Sequence, residues 1–233
     1  PYKTTIPKHY VVASEAATLT HLRAHGVPAP KVLAYSPDQT NPVRTEYILL
    51  ERLEGIPLSD QWFSMDTKTR VKIMRQIVNM ERRFMSIHFP ASGSLYYRRD
   101  LDSSQHFIPI SDDIVVGPTV QHEWWYQERA SLEVDRGPCK SLSRSSYFFS
   151  NIDFEPGTTF SAYFEAPAKR EIEFYKRFGK PRLHVERYLR EIYQFQSLSP
   201  ILYQYLLANY LKLAPYLDVL SGRMSRPTLR HPD

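Results

Sequence analysis

The order of apolar and polar residues in the first fifty positions predicts one helix followed by two strands. Residues 13–25 are mostly good helix formers, with Ser14 as a candidate cap, and a stretch rich in glycine and proline ends the pattern. Residues 31–36 and 46–53 have the short apolar runs of strands, and a polar turn separates them. The sequence therefore predicts a helix that leads into a pair of strands.

The clearest amphipathic pattern covers residues 66–88, where Asp66 is a candidate N-cap. The apolar positions at helical spacing are Val71, Met74, Ile77, Val78, Phe84 and Met85, with His88 at the end of the stripe. We expect this stripe to face the core, and we interpret His88 as a core histidine rather than a ligand.

Residues 93–101 and 107–110 predict short strands or a hairpin. Trp124 and Trp125 follow; they could form a stacking platform for a base or a cation, but packing is the favoured interpretation.

Five charged residues come next, and we expect them to pair with one another: Glu128, Arg129, Glu133, Asp135 and Arg136. Residues 141–161, rich in serine and phenylalanine, predict a surface insertion or translated non-coding sequence.

The last third of the chain predicts helices over residues 163–179, 182–195 and 199–217. The first of them ends at a glycine. Ser199 and Pro200 form a cap and a first helical residue for the last of them.

Composition narrows the function only a little. With 42% hydrophobic residues the chain can bury a core, and its net charge of +5 is spread along the sequence. Cys139 is the only cysteine, so no internal disulfide can form, and a reducing compartment is the default. The sequence shows no apolar run long enough to span a membrane, no nucleic-acid-binding motif, no glycine-rich phosphate loop and no metal-ligand spacing.

The chain closes on His231-Pro232-Asp233, the pattern that begins the catalytic loop of kinase-type phosphotransferases. A His-x-Asp triplet also arises by chance, and a polar C-terminal tail is the simple alternative. The order of elements before it is that of the middle of a kinase-like fold, which favours the catalytic interpretation.

The chain resembles the aminoglycoside phosphotransferase-like (choline-kinase-like) family, and more closely its fungal altered-inheritance-of-mitochondria branch. The blocks that carry the resemblance follow the family's order: HYVVASEAATLTHLRAHGVPAPKVLAYS, EYILLERLEGIPL, FPASGSLYYRRDL, VGPT, WWYQERASLEVDRGPC, RFGKPR, YLKLAPYL and RPTLRHPD. The resemblance implies an α+β, protein-kinase-like fold. Residues 1–55 would form a partial small lobe with the inter-lobe linker, and residues 56–233 a mainly helical lobe with an insertion.

The resemblance also implies a set of site residues. Glu15 would orient the cation that grips the nucleotide, and the backbone from Glu51 to Leu53 would meet the adenine, with Leu50 or Leu53 packing on the ring. Asp233 would be the catalytic base, and His231 would shape its loop.

ATP and Mg²⁺ are the cofactors implied for the complete protein, with a small-molecule hydroxyl as acceptor. The glycine-rich loop, the gripping cation and the metal-binding Asn and Asp do not appear in this sequence. We therefore expect a fragment cut within its active site that binds nucleotide weakly and is inactive alone. The implied location is mitochondrial, with cytoplasm as the default.

Two other functions remain open at this point: a non-catalytic kinase-like scaffold, and an unrelated basic α+β binding module. The sequence leaves the acceptor and the oligomeric state open.

Overall fold

The structure, a computed structural model, describes residues 6–140 and 161–221. Its α-helices are α1 (Lys8–Ala24), α2 (Leu58–Gln61), α3 (Thr67–Met85), α4 (Ser161–Phe178), α5 (Arg187–Ile192) and α6 (Pro200–Ser221). Its strands are β1 (Val32–Ser36), β2 (Tyr47–Leu50), β3 (Ala91–Ser92), β4 (Ser94–Tyr97), β5 (Ile108–Pro109), β6 (Ile114–Gly117) and β7 (Cys139–Lys140). Short 3-10 helices lie at Arg98–Asp100, His122–Trp124 and Gln127–Ser131.

The helix and strand pair at the start of the chain are confirmed, with one correction. β1 and β2 pair antiparallel, from Val32 opposite Leu50 to Ser36 opposite Tyr47. α1, however, begins at Lys8 directly after a proline, so Ser14 lies inside the helix and is buried rather than capping it. The proline fixes the backbone angle needed for entry into a helix, which explains the earlier start.

A three-stranded antiparallel sheet, in the order β4-β6-β5, packs against α1. The contact is made by small residues on one face of the helix: Ala13 packs with Tyr96 and Val115, and Ala17 with Leu95 and Val116. Alanines at spacings of three and four share a helix face, and their small size lets a sheet approach closely. This face is the core of the described molecule.

α3 confirms the predicted N-cap but not the predicted burial. The Asp66 carboxylate accepts a hydrogen bond from the Thr69 backbone N–H at 2.9 Å. No residue of α3, all of which is described, is buried, and His88 lies exposed beyond the end of the helix. The expectation that the stripe faces the core and that His88 is a core histidine is therefore wrong for this chain.

The C-terminal helices are partly as predicted. α4 packs against α6, where the Tyr175 and Tyr203 rings stack at 5.0 Å, and α6 begins at Pro200 with the Ser199 hydroxyl accepting from Ile201 N–H. The helix predicted over 182–195 is confined to α5. Backbone hydrogen bonds between Arg182 and Leu198 hold the chain before and after it in a bridge instead.

Helices and small antiparallel sheets together make the chain a mixed α and β protein, as expected. The described part of the chain holds no helix that is long and apolar enough to cross a membrane. The division into lobes at residue 55 stays a prediction.

Candidate functional site

The linker expected to meet the nucleotide starts where β2 ends. Leu50 closes the strand and is half-buried, and the Glu51 N–H donates to the Lys31 carbonyl at 2.8 Å. Leu53, two residues later, is 66% exposed. The linker thus begins at Glu51, whose backbone is hydrogen-bonded to β1's neighbour Lys31, and continues to Leu53, whose apolar side chain is exposed to solvent.

An ion pair joins this linker to α1. The Arg23 Nη1 lies 3.0 Å from the Glu51 Oε1 and also donates to the Ala29 carbonyl at 2.8 Å. This pair could not be predicted from the sequence, because its members are 28 residues apart and no spacing rule connects them. The Glu51 carboxylate therefore positions the linker, a role beyond that of the backbone.

Glu15 lies on α1 and is exposed, whereas Ala13, Ala16 and Ala17 are buried. Its carboxylate makes no hydrogen bond or ion pair with any residue in 6–140 or 161–221. α1 packs against β1 and β2 as well as against the three-stranded sheet. The helix that carries Glu15 is thus held between the linker strands and the three-stranded sheet, and the Glu15 carboxylate is exposed.

The two remaining predicted site residues, His231 and Asp233, lie outside the described residues. The structure therefore brings the helix of Glu15 and the linker together, and it does not place the catalytic loop relative to them.

The tryptophans and charged residues at positions 124–136 form a packed framework. Trp125 is buried, its Nε1 donates to the Thr119 carbonyl at 2.8 Å, and the Arg136 guanidinium lies 3.9 Å from its ring centroid. Trp124 is half-buried, with the Arg170 guanidinium 4.7 Å from its ring. These contacts are those of packing residues, the interpretation favoured from the sequence.

The expected mutual pairing of the charges at 128–136 is wrong. Arg129 binds Glu171 of α4 through two hydrogen bonds of 2.9 and 2.6 Å, and its guanidinium lies 3.8 Å from the Phe174 ring centroid. Arg136 donates to the carbonyls of Arg129 and Leu132 at 2.8 and 3.1 Å. Arg129 thus pairs with a carboxylate of α4, and Arg136 binds backbone carbonyls within the segment.

The arginines around Glu171 of α4 favour the charged form of its carboxyl group. Burial opposes ionisation, but the hydrogen bonds and charges of Arg129 and Arg170 outweigh it and lower the pKa of the carboxyl. The described part of the chain has a cavity of about 530 Å³ beside β1 and one of about 510 Å³ beside this ion pair. Among the same residues no group of three or more His, Cys, Asp or Glu side chains could hold a metal ion.

Comparison with known proteins gives the family context. The model of a family described as "Phosphotransferase enzyme family" matches residues 7–133. Two subtelomeric hrmA-associated cluster proteins from strains of Aspergillus fumigatus are 41% identical over 239 residues. That match takes in 97% of this chain and 46% of either relative, so the chain spans about half the length of the curated relatives it matches.

A mitochondrial protein of Komagataella phaffii, named altered inheritance of mitochondria protein 9, is 27% identical over 213 residues, which is 83% of this chain and 33% of that protein. The protein of the same name from Meyerozyma guilliermondii is 36% identical over 98 residues, or 41% of this chain and 16% of that protein. No solved structure matches the chain significantly.

Proposed function

This chain belongs to the phosphotransferase enzyme family, and on that premise we propose that the whole protein transfers the γ-phosphate of ATP to a hydroxyl of a small molecule. The observation that carries the proposal is the family match over residues 7–133, which includes Glu15 and the linker. The Arg23–Glu51 ion pair, at 3.0 Å, supports it because it couples the helix of Glu15 to the linker.

In this proposal the nucleotide is held by the linker and by α1. Backbone groups from Glu51 to Leu53 hydrogen-bond the adenine edge, and the exposed side chain of Leu53, with Leu50 beside it, packs on the ring. The free carboxylate of Glu15 binds and orients a cation that grips the phosphates, as an acid on this helix does in kinase-like enzymes.

The chemical step belongs to the loop at the chain's end. The hydroxyl oxygen of the acceptor attacks the γ-phosphorus, the bond to the bridging oxygen of ADP breaks, and the hydroxyl proton passes to the Asp233 carboxylate. His231 shapes the loop that presents this carboxylate.

Mg²⁺ typically accompanies ATP in this family, where it neutralises phosphate charge. The described residues offer no set of carboxylates placed to hold it. We therefore assign no step of the reaction to a metal bound by these residues.

The experiment uses the whole protein, of which this chain is a part, with ATP, Mg²⁺ and a panel of small hydroxyl compounds. Asp233→Asn should lower kcat by about 10³-fold, since general-base removal costs a factor of this order. Glu15→Gln should raise the KM for ATP, and Glu81→Gln, an exposed acid on α3, is the matched control.

Turnover that persists in Asp233→Asn would contradict the proposed base. Nucleotide binding by the whole protein without turnover on any acceptor would favour a non-catalytic kinase-like scaffold instead.

We also propose a mitochondrial location, supported by the printed name of the altered inheritance of mitochondria proteins. Fluorescence microscopy of the tagged whole protein tests it, and a signal spread through the cytoplasm would contradict it.

A further inference from the structure

One edge of β1 has no strand partner in the part of the chain that the structure describes. Among the described residues β1 pairs with a single strand, β2, so the backbone groups of its other edge have no strand partner. A cavity of about 530 Å³ lies beside β1, and we call it the β1 groove; it is lined by residues 31–35, the last turns of α1, Tyr97 at the end of β4 and Arg99 two residues later. An unpaired strand edge in a groove can accept a further strand.

Three cations line the β1 groove. Lys31 stands at the start of β1 and is exposed, and its ammonium has no partner within residues 6–140 and 161–221. Arg23 is held by Glu51 and the Ala29 carbonyl through one nitrogen, which leaves its other donors free. Arg99 is the third; its Nε lies 4.0 Å from an Asp100 carboxylate oxygen, its side chain is 70% exposed, and a guanidinium has five N–H donors.

Aromatic rings hold Arg99 in place. The Tyr35 and Tyr97 rings stack at 5.7 Å, and the guanidinium of Arg99 lies 4.7 Å from the Tyr97 centroid and donates to the Tyr35 hydroxyl at 2.9 Å. The Tyr35 hydroxyl in turn donates to Asp100 at 2.8 Å, and burial raises the pKa of Tyr35 to about 12. Tyr35 therefore stays neutral near pH 7 and adds no negative charge to the groove.

The cations mark both ends of the strand. Lys31 lies just before β1, and Arg99 is bonded to Tyr35, four residues later. A strand rises about 3.3 Å per residue, so these ends are about 13 Å apart. Acidic side chains on alternate residues of an extended peptide lie on one face and can follow the strand from one end to the other, which suits this spacing of cations better than a single phosphate or carboxylate does.

We propose that the β1 groove binds an extended acidic segment of a partner protein, which adds as a strand to the free edge of β1. Backbone hydrogen bonds to the edge supply affinity, and Lys31, Arg23 and Arg99 select acidic side chains on the segment. The interaction does not depend on phosphoryl transfer.

The test measures the fluorescence anisotropy of a fluorescein-labelled heptapeptide of alternating glutamate and valine, titrated with the whole protein of which this chain is a part. We expect saturable binding that Lys31→Glu and Arg99→Gln each weaken by about fivefold, since exposed charge pairs contribute on this scale. Lys72→Glu, an equal charge change on α3, should leave binding unchanged. Circular dichroism checks that every variant is folded.

A second peptide separates strand addition from simple charge attraction. N-methylation of alternate backbone nitrogens keeps the glutamates but removes the N–H donors that the edge of β1 needs. We expect this peptide to bind at least tenfold more weakly. Equal binding of both peptides, displacement of the heptapeptide by millimolar inorganic phosphate, equal weakening by Lys72→Glu, or no saturable binding would each overturn the proposal.

Discussion

Arg129 joins the 3-10 helix Gln127–Ser131 to α4 through one side chain. Only 15% of its side chain is exposed, and both of its hydrogen bonds to Glu171 would be lost in Arg129→Met. Charged hydrogen bonds contribute about 1.5–3 kcal/mol, so we expect this variant to lower the free energy of unfolding by about 2 kcal/mol. Urea denaturation at neutral pH measures the change.

Lys169→Met is the matched control, because Lys169 also pairs with a glutamate of α4 but is 63% exposed. Exposed pairs contribute about 0.2–1 kcal/mol, so a loss as large as that of Arg129→Met would contradict the role given to burial.

Glu171 also predicts how stability depends on pH. The pKa of its carboxyl is lowered from the ordinary value of 4.5 by Arg129 and Arg170, against the effect of burial. A lowered pKa means that the charged form stabilises the fold above about pH 4.5, and that this contribution is lost as the pH falls through the folded pKa.

We therefore expect Glu171→Gln to be less stable than the parent at pH 7, with the gap narrowing below pH 4.5. Urea denaturation from pH 7 to pH 3 measures it. A gap that stays constant with pH would contradict the assignment.

Ion pairs between residues far apart in the sequence could not be predicted. Arg129 and Glu171 are 42 residues apart, and the acids beside Arg129 in the sequence offered nearer partners. Which charges pair depends on which side chains the fold brings together. A local pattern of charges therefore predicts that an arginine forms an ion pair, but it does not identify the acidic partner.

At the scale of elements, α1 depends on the size of its alanines. Ala17 is fully buried against Leu95 and Val116, so Ala17→Leu must displace the sheet or the helix. Overpacking of this kind costs about 1–3 kcal/mol. Thermal unfolding measures it, and the control is Ala24→Leu, at the exposed end of the same helix. Equal effects of the two changes would contradict the close contact.

Elements were predicted better than their packing. The helix after Asp66 and the two strands near positions 32 and 50 follow from caps, periodicity and turn residues. The buried stripe on α3 does not, because amphipathicity says which face a helix would bury and not whether a partner covers it.

At the scale of the molecule, large apolar side chains lie open on two helices. On α3 they include Met74, Val78 and Met85, and on α6 Tyr205 and Leu213. Contiguous exposed apolar patches are typical of surfaces that bind other molecules. We expect the purified 233-residue chain to bind a hydrophobic dye such as anilinonaphthalene sulfonate, and Val78→Glu to reduce that binding.

Val78 is 49% exposed, so Val78→Glu should change the free energy of unfolding by less than about 0.5 kcal/mol. Val115→Glu, at a fully buried position of β6, is the contrasting variant and should unfold the chain. Loss of structure in Val78→Glu would show that α3 is packed in solution.

The candidate site was predictable in part. Glu15 and the linker at 51–53 came from the family resemblance, since an exposed acid and a charged turn are ordinary in themselves. The Arg23–Glu51 pair and the open edge of β1 required coordinates, because both depend on how α1 lies across the strands.

The alanine face of α1 limits which substitutions relatives of this protein can carry on the helix. Ala13 and Ala17 pack against a sheet, whereas Glu15 faces outward. The helix therefore has positions that cannot accept a larger side chain and positions that can. Substitutions accumulated by relatives should therefore be unevenly distributed around it. A larger residue at position 17 should appear only together with a smaller one at 95 or 116.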